Sequence, residues 1–198
     1  DDPSVGIAEG IREMLARFAV SAADVGFLGH GTTVATNMMI EHRGVATGLI
    51  TTKGFRDVLA IGRQTRPSLY DYSIRKPLPL VERYRRLEVD ERMDASGAVL
   101  KPLDETAVAE VVRKLVASGV ASIAVSFIHA YRNPAHEEQV RRVIERIAPG
   151  TYVSISSSVL PEFREFERTS TTVLNAYVGP TMGGYLDQLC TRIADEGI

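Results

Sequence analysis

A strand of almost uninterrupted apolar character lies between two amphipathic helical patterns in the second half of the chain. Residues Ala121–Phe127 are nearly all apolar, which predicts a strand that is covered on both faces. Before it, apolar residues three and four positions apart predict a helix that Asp104 caps and Gly119 ends. After it, Pro134 opens a second helix, which ends before Gly150. This alternation predicts an α/β fold, with helices on the faces of a mixed sheet.

The same spacing rules assign elements to the rest of the chain. The stretch between Lys53 and Met93 is less regular, because several glycines and prolines interrupt it. The predicted elements are a helix over 3–19, a strand over Val25–Leu28, a helix over Val34–Glu41, a strand over Val45–Ile50, one or two strands within Arg83–Arg92, a strand over Tyr152–Val159, and helical structure from Glu162 onward that is interrupted near Gly179 and Pro180.

The composition of the 198 residues narrows the function classes. With 44% hydrophobic and 24% charged residues, the chain is expected to be a soluble globular protein. Its net charge of −2 argues against nucleic acid as a partner, and no apolar segment is long enough to span a membrane. Cys190 is the single cysteine, so no disulfide forms within the chain, and a cytoplasmic location is expected. Four scattered histidines have no metal-ligand spacing, so no metal site is expected.

The segment Gly29–Asn37 is the first candidate for ligand binding. Its glycines allow a ligand to approach the backbone, and the hydroxyls of Thr32 and Thr33 lie where a helix is predicted to begin. Free backbone N–H groups at that point favour an anion or a carbonyl oxygen. The alternative is that one of these threonines only caps the helix. The segment is not a Walker loop, because no Gly-Lys-Ser/Thr follows.

Two further positions have a functional and a structural interpretation. Arg63 and Arg66 flank Gln64 and could clamp a carboxylate or phosphate with their guanidinium groups, or they could pair with acidic residues nearby. His129 follows the buried strand, and its ring could act as a base at the strand's end, where ligands of α/β proteins bind. The alternative is a structural histidine whose ring nitrogens are satisfied by hydrogen bonds.

The last helix is predicted to open on a polar segment, Pro161–Thr172. Glu165 and Arg168 are three residues apart and are expected to pair on one helix face. The hydroxyl residues Ser170–Thr172 are unfavourable inside a helix unless their side chains bond to the backbone. The spacing of residues in the chain assembles no Ser-His-Asp or Cys-His nucleophile system.

Seven segments, taken together and in order, resemble the N-terminal region of the hydantoinase A/5-oxoprolinase family. The resemblance extends from about Ser4 to Leu189. The segments are Gly31–Asn37, Thr52–Asp57, Ile61–Asp71, Asp90–Arg92, Pro102–Asp104, Asn133–Glu137 and Glu165–Tyr177.

The resemblance implies the fold of part of an actin-like ATPase domain, as in sugar kinases and Hsp70. It also implies a parent protein that uses ATP and Mg²⁺ to phosphorylate a carbonyl oxygen or enolate, and so opens a five-membered cyclic amide of the hydantoin or 5-oxoproline type. A B-type hydantoinase subunit or domain is an implied partner. The family's N-terminal domain would cover 1–178, and 179–198 would begin the following hydantoinase A domain. No catalytic role is carried over to a named residue. The residues expected near substrate or nucleotide are Gly31, Thr32, Thr33, Thr36, Asn37, Arg63 and Gln64.

The chain departs from the family pattern at its start. Family members open with an Asp-x-Gly-Gly-Thr-Phe-Thr-Asp phosphate loop, and this sequence has none. We therefore expect a piece of a longer protein that is inactive alone and binds no cofactor stably. A sheet edge left uncovered at the start also predicts self-association into a homo-oligomer. Two other functions remain open: an acetone-carboxylase-like subunit that phosphorylates a ketone, and a non-catalytic actin-like module that binds nucleotide.

Overall fold

The computed structural model describes residues 3–65, 68, 70–71, 73–74 and 76–198. Backbone contacts divide the chain into two compact units, Val45–Tyr177 and a second unit made of Asp1–Gly44 with Val178–Ile198. The helices are α1 (Pro3–Phe18), α2 (Val34–Ile40), α3 (Val58–Ile61), α4 (Glu105–Ala117), α5 (Ala135–Ile147), α6 (Ser156–Val159) and α7 (Glu165–Asp195). The strands are β1 (Thr47–Thr52), β2 (Arg86–Val89), β3 (Arg92–Met93), β4 (Val99–Lys101), β5 (Ser122–Ser126) and β6 (Tyr152–Ile155).

A four-stranded parallel sheet organises the unit Val45–Tyr177. Its order is β2-β1-β5-β6, and each neighbouring pair is parallel. Antiparallel pairing occurs in the separate two-stranded ribbon β3–β4. All five residues of β5 are buried, as its apolar run predicts. The prediction of an α/β fold with helices flanking the sheet is confirmed. The four-stranded sheet itself is parallel and not mixed, because the antiparallel pair forms a separate ribbon.

The two faces of this sheet carry separate cores. On one face, Ile50, Ile123 and Val125 pack with apolar residues of α4 and α5. On the other face, Leu49 and Ala124 pack with Val173 and Ala176 of α7. Residues of β1 and β5 that share a register, such as Leu49 and Ala124, therefore lie on the same face. The helices fix the sheet from both sides and leave the ends of its strands as the place for loops.

The second unit is helical. Helix α1 buries Ser4 and Ala8, and the C-terminal part of α7 buries Tyr185 and Leu189. Arg192 Nε donates a 2.9 Å hydrogen bond to Ser4 Oγ. The predicted helices over 3–19 and Val34–Glu41 correspond to α1 and α2. Asp2, expected to cap the first helix, lies outside the described residues.

The strand predicted over Val25–Leu28 is wrong, because this segment has no regular secondary structure. A strand needs a neighbour that completes its backbone hydrogen bonds. No described residue pairs with this segment as a strand, and the side chain of Phe27 is 87% exposed. An apolar run alone therefore did not identify a strand here.

Two further boundaries differ from the prediction. The strand predicted over Tyr152–Val159 ends at Ile155, and the next four residues form α6. The chain turns there because Ser156 and Ser157 both bond to a buried carboxylate, that of Glu137. Helix α7 passes through Pro180 without a break. Apolar side chains are buried on both sides of the proline, at Tyr177 and at Tyr185, and this packing offsets the lost backbone hydrogen bond.

Candidate functional site

The loop that leads into α2 is open to solvent. Gly31, Thr32, Thr33, Thr36 and Asn37 are all exposed. Thr33 precedes the helix without a side-chain cap, while Thr32 Oγ1 accepts a 3.2 Å hydrogen bond from the N–H of Val34. The capping interpretation therefore applies to Thr32, and the hydroxyl of Thr33 stays available. Since these side chains are exposed, the loop by itself does not enclose a ligand such as ATP or Mg²⁺.

His30 fixes this loop to the C-terminal part of α7. Its Nε2 lies 2.7 Å from the hydroxyl of Tyr185, which is buried. The glycines on both sides of His30 therefore flank an anchored residue. Sequence reasoning missed this contact, because the two residues are 155 positions apart.

Arg63 and Gln64 lie in the other unit, after α3, and both are exposed. The guanidinium of Arg63 forms an ion pair with Glu167 in the first turn of α7. The pKa of Glu167 is lowered by a hydrogen bond that its carboxylate accepts from the N–H of the same residue, and Arg63 lowers this pKa further. Gln64 has a left-handed backbone (φ 56°), which is uncommon for a residue other than glycine. Arg66, the second candidate for an anion clamp, lies outside the described residues.

The most elaborate polar arrangement lies at the carboxyl ends of β1 and β5. Strand β2, which follows β1 in the sequence, lies on one side of β1, and β5 lies on its other side. Parallel α/β sheets bind ligands at such a switch point, outside the carboxyl ends of the strands. The residues found there are at most 5% exposed. We call the following five residues the carboxyl-edge cluster: Thr52, Glu91, His136, Glu137 and Arg168.

Thr52, Glu91 and His136 form one chain of hydrogen bonds within this cluster. The hydroxyl of Thr52 donates to Glu91 Oε1, and it accepts a 3.0 Å bond from the N–H of Ile128. His136 Nδ1 donates to the other oxygen of Glu91 at 2.7 Å. These hydrogen bonds link the end of β1, the turn between β2 and β3, and the first turn of α5. They thereby fix the backbone just after β5.

Glu137 is fully buried, and its carboxylate accepts three hydrogen bonds. The donors are the N–H of Phe127 at 2.9 Å, the hydroxyl of Ser156 at 2.6 Å and the N–H of Ser157 at 2.8 Å. Burial raises the pKa of Glu137, and these donors oppose the rise. The carboxylate ties β5 to the chain that follows β6.

Arg168 approaches the same peptide group from α7. Its Nη2 donates a 2.6 Å hydrogen bond to the carbonyl of Phe127, and its Nη1 donates to the carbonyl of Glu162 at 3.3 Å. Burial lowers the pKa of Arg168, and the charge of Glu137 is the largest effect that opposes this. A buried cation and a buried anion therefore hold the two polar groups of one residue, Phe127. The pairing predicted between Glu165 and Arg168 is replaced by these bonds to backbone carbonyls.

Several segments that carry the family resemblance meet at this edge. Thr52 begins one segment, and His136 and Glu137 end another, while Arg168 belongs to a third. The ring of Phe166 in α7 packs against Gly62, because a Cβ added at this glycine would lie 3.6 Å from the ring. Helix α7 also contributes Thr169, whose hydroxyl lies 2.8 Å from that of Ser126. Segments far apart in sequence thus supply one buried polar assembly.

Other features of the described residues contribute little to a site. No group of three or more histidine, cysteine, aspartate or glutamate residues among them is placed to hold a metal ion. Within the same part of the chain, no helix is long and apolar enough to cross a membrane. A groove of about 460 Å³ along α1 is lined by apolar side chains and glycines, including Ile7, Ile11 and Leu28. It lacks the polar side chains that would orient an amide.

Comparison with known proteins defines the class. Residues 1–148 match the family model described as the hydantoinase/oxoprolinase N-terminal region, so the chain belongs to the hydantoinase/oxoprolinase family. An uncharacterized protein of Methanocaldococcus jannaschii is 39% identical over 98% of this chain and 28% of its own length. Caprolactamase subunit alpha of Pseudomonas jessenii is 36% identical over 88% of this chain and 25% of its length. 5-Oxoprolinase of Saccharomyces cerevisiae is 33% identical over 94% of this chain and 17% of its length. The chain thus spans less than a third of these relatives.

Two solved structures share the fold. ATP-dependent caprolactamase of Pseudomonas jessenii superimposes with a TM-score of 0.81 at 33% identity, covering 94% of this chain and 28% of that one. Nucleotide-free acetone carboxylase superimposes with a TM-score of 0.85 at 27% identity, covering 98% of this chain and 30% of that one. These likenesses confirm the predicted fold class, an α/β portion of an actin-like ATPase.

Proposed function

We propose that the protein to which this chain belongs is an ATP-dependent hydrolase that opens five-membered cyclic amides of the hydantoin or 5-oxoproline type. The observation that carries this proposal is the family match over residues 1–148, together with relatives named caprolactamase and 5-oxoprolinase. The chemistry is reasonable, because an unstrained cyclic amide is a poor electrophile and its direct hydrolysis is slow. Coupling to ATP lowers that barrier by making the carbonyl carbon easier to attack.

ATP and Mg²⁺ are the proposed cofactors of the complete protein, and a B-type hydantoinase subunit or domain is its proposed partner. Support for the partner comes from the relative named a subunit alpha, which therefore works within a larger assembly. We propose that residues 1–198 alone do not turn over substrate. The division into a family domain over 1–178 and the start of a second over 179–198 remains part of this proposal.

The residues proposed to lie near nucleotide or substrate fall into two groups. Gly31, Thr32, Thr33, Thr36 and Asn37 surround the start of α2. The available hydroxyl of Thr33 and the exposed side chain of Asn37 support a polar contact there. Arg63 and Gln64 form the second group, in which Arg63 would bind an anionic group in exchange for Glu167.

A double substitution tests the first group. Thr33→Ala with Asn37→Ala in the complete protein is expected to lower kcat/KM for the cyclic amide by at least tenfold, because two polar contacts are removed. Thr106→Ala, on the exposed face of α4, is the matched control and is expected to have no effect. Full activity in the double variant would remove this loop from the site.

A second function is favoured by one observation, the structural likeness to acetone carboxylase. In that case the substrate is a ketone and bicarbonate is its partner. ADP formation should be measured with the complete protein, and with its partner subunit if it has one, in the presence of a hydantoin, 5-oxoproline, or acetone with bicarbonate. Stimulation by one of the cyclic amides supports the proposal, and stimulation only by acetone with bicarbonate replaces it.

A further inference from the structure

The loop that follows β5 is unusually well fixed, and it presents a histidine. Its first residues are held by the carboxyl-edge cluster through the N–H and C=O of Phe127 and the N–H of Ile128. Inside the loop, the N–H groups of Arg132 and Asn133 both donate to the carbonyl of His129. The loop therefore holds one conformation without help from a ligand.

His129 has a left-handed backbone, with φ 60°. This conformation is uncommon for any residue other than glycine and costs on the order of 1 kcal/mol. Such outliers persist where the surrounding structure enforces them, and they occur most often at functional sites. At this position the outlier coincides with the switch point of the parallel sheet.

The ring of His129 is not satisfied by the residues around it. Its Nδ1 is buried and has no hydrogen-bond partner among the described residues. The ring of Tyr131 lies 6.1 Å away, centroid to centroid. A structural histidine would have its buried nitrogen paired. Among the described residues no side chain or backbone group bonds to the other ring nitrogen, Nε2, and the residue is partly exposed, so Nε2 can donate to a ligand.

We propose that His129 is a ligand-binding residue that donates a hydrogen bond from Nε2 to the carbonyl oxygen of the substrate, and that Glu137 and Arg168 are positioning residues that hold its loop. The inference rests on the proposed function, because the carbonyl is that of the cyclic amide. An imidazole N–H would bind a phosphate oxygen of ATP equally well, so the shared chemistry is an acceptor oxygen. The edge where α/β sheets bind their ligands accepts nucleotides as well as other substrates, so kinetic measurements have to separate the two sources of oxygen.

Kinetics of the complete protein separate the two sources of oxygen. His129→Asn and His129→Gly both tolerate the left-handed backbone, so they remove the ring without straining the loop. We expect KM for the cyclic amide to rise about tenfold in both, as for the loss of one hydrogen bond, with KM for ATP unchanged. An increase in KM for ATP alone, or no change in either constant, would overturn the assignment.

A matched control exists at His42. This histidine is exposed and also has a left-handed backbone, with φ 54°. His42→Asn and His42→Gly make the same chemical change at the same backbone conformation, away from the carboxyl-edge cluster. Both are expected to keep the kinetic constants of the unmodified protein. Equal effects at His42 and His129 would show that the backbone, and not the ring, is responsible.

The positioning role has its own readout. Glu137→Gln places an amide N–H₂ group among three hydrogen-bond donors. Arg168→Lys replaces the planar guanidinium, which donates from two nitrogens, with a single ammonium group. We expect both substitutions to lower kcat/KM for the cyclic amide more than they lower the fraction of folded protein. When either is combined with His129→Gly, the loss of kcat/KM should be smaller than the two single losses added as free energies. Additive losses would mean a structural role only.

One measurement does not depend on turnover. In protein labelled with ¹⁵N-histidine, the His129 resonances, assigned by their loss in His129→Asn, should report the Nε2–H form and should shift on saturation with a hydantoin or 5-oxoproline. If no cyclic amide supports turnover while the expected tautomer and shift are found, the proposed function fails and the binding assignment stands. An Nδ1–H ring, or no shift at saturation, contradicts the binding assignment whatever the activity.

Discussion

The guanidinium of Arg168 donates a 2.6 Å hydrogen bond from Nη2 to the backbone carbonyl of Phe127. The N–H of the same residue donates to Glu137, so a buried cation and a buried anion hold one residue at the end of β5. Arg168 lies in α7 and Glu137 in α5, on opposite faces of the sheet. The link therefore ties both helical layers to the strand end where ligands of α/β proteins bind.

Removing Arg168 should be strongly destabilising. Arg168→Met keeps much of the side-chain volume but leaves the Glu137 carboxylate buried without its cation and the carbonyl of Phe127 without its donor. We expect a loss of about 3–5 kcal/mol in the free energy of unfolding, measured by urea denaturation. The same change on the exposed face of α5, Arg142→Met, should cost less than about 0.5 kcal/mol. Equal effects would mean that the buried bonds contribute nothing.

Thr52→Val tests the hydrogen-bond chain at the end of β1. The substitution keeps the shape of the side chain but removes the hydroxyl that donates to Glu91 and accepts from Ile128. Two buried polar groups then lose a partner, so we expect a loss of about 1–3 kcal/mol in unfolding free energy. Thr106→Val, with an exposed hydroxyl in α4, is the control. A loss no greater than that of the control would show that water or a shifted side chain replaces the hydroxyl of Thr52.

The pH dependence of stability should show the titration of Glu137. Burial raises its pKa above the ordinary value of 4.5, so the folded state binds this proton more tightly than the unfolded chain does. Its contribution is therefore complete below pH 4.5 and is lost as the pH rises through the folded pKa. The difference in unfolding free energy between the unmodified protein and Glu137→Gln should shrink over that rise. A difference between the unmodified protein and Glu137→Gln that grows with pH would contradict this expectation.

Gly48 in β1 has a packing reason to be glycine. An added Cβ would lie 3.0 Å from both terminal methyl carbons of Leu115 in α4. Gly48→Ala should therefore cost about 1–3 kcal/mol, as overpacking of a core does. In a Leu115→Ala background the same substitution should cost much less, since the space is then free. An unchanged cost in that double-mutant cycle would point to backbone strain instead of the contact.

The sequence predicted the elements whose signal is local. The apolar run of β5 and the capped, amphipathic helices α4 and α5 were identified because periodicity and turn residues suffice for them. The strand at Val25–Leu28 was wrong because strand formation depends on a neighbour, which an apolar run does not reveal. Helix α7 continues through Pro180 because packing on both sides outweighs the local cost.

The candidate site was harder to predict for the same reason. Motif segments indicated Arg63 and the Gly31–Asn37 loop, but not their surroundings. The partners in the carboxyl-edge cluster are far apart in sequence: Glu91 and His136 are separated by 45 positions, and Phe127 and Arg168 by 41. Burial of a glutamate or an arginine cannot be read from spacing, because it depends on which helix packs over which strand end. His129 was noticed at its strand end, but its unpaired nitrogen is visible only in three dimensions.

The most direct test of the proposed function is the coupling between ATP hydrolysis and ring opening in the complete protein. ADP and the ring-opened product should be quantified in the same reaction, with and without a saturating cyclic amide. We expect little ADP without the cyclic amide, strong stimulation with it, and equal amounts of ADP and ring-opened product. ATP hydrolysis at the same rate with and without each cyclic amide, and with no ring-opened product, would contradict it.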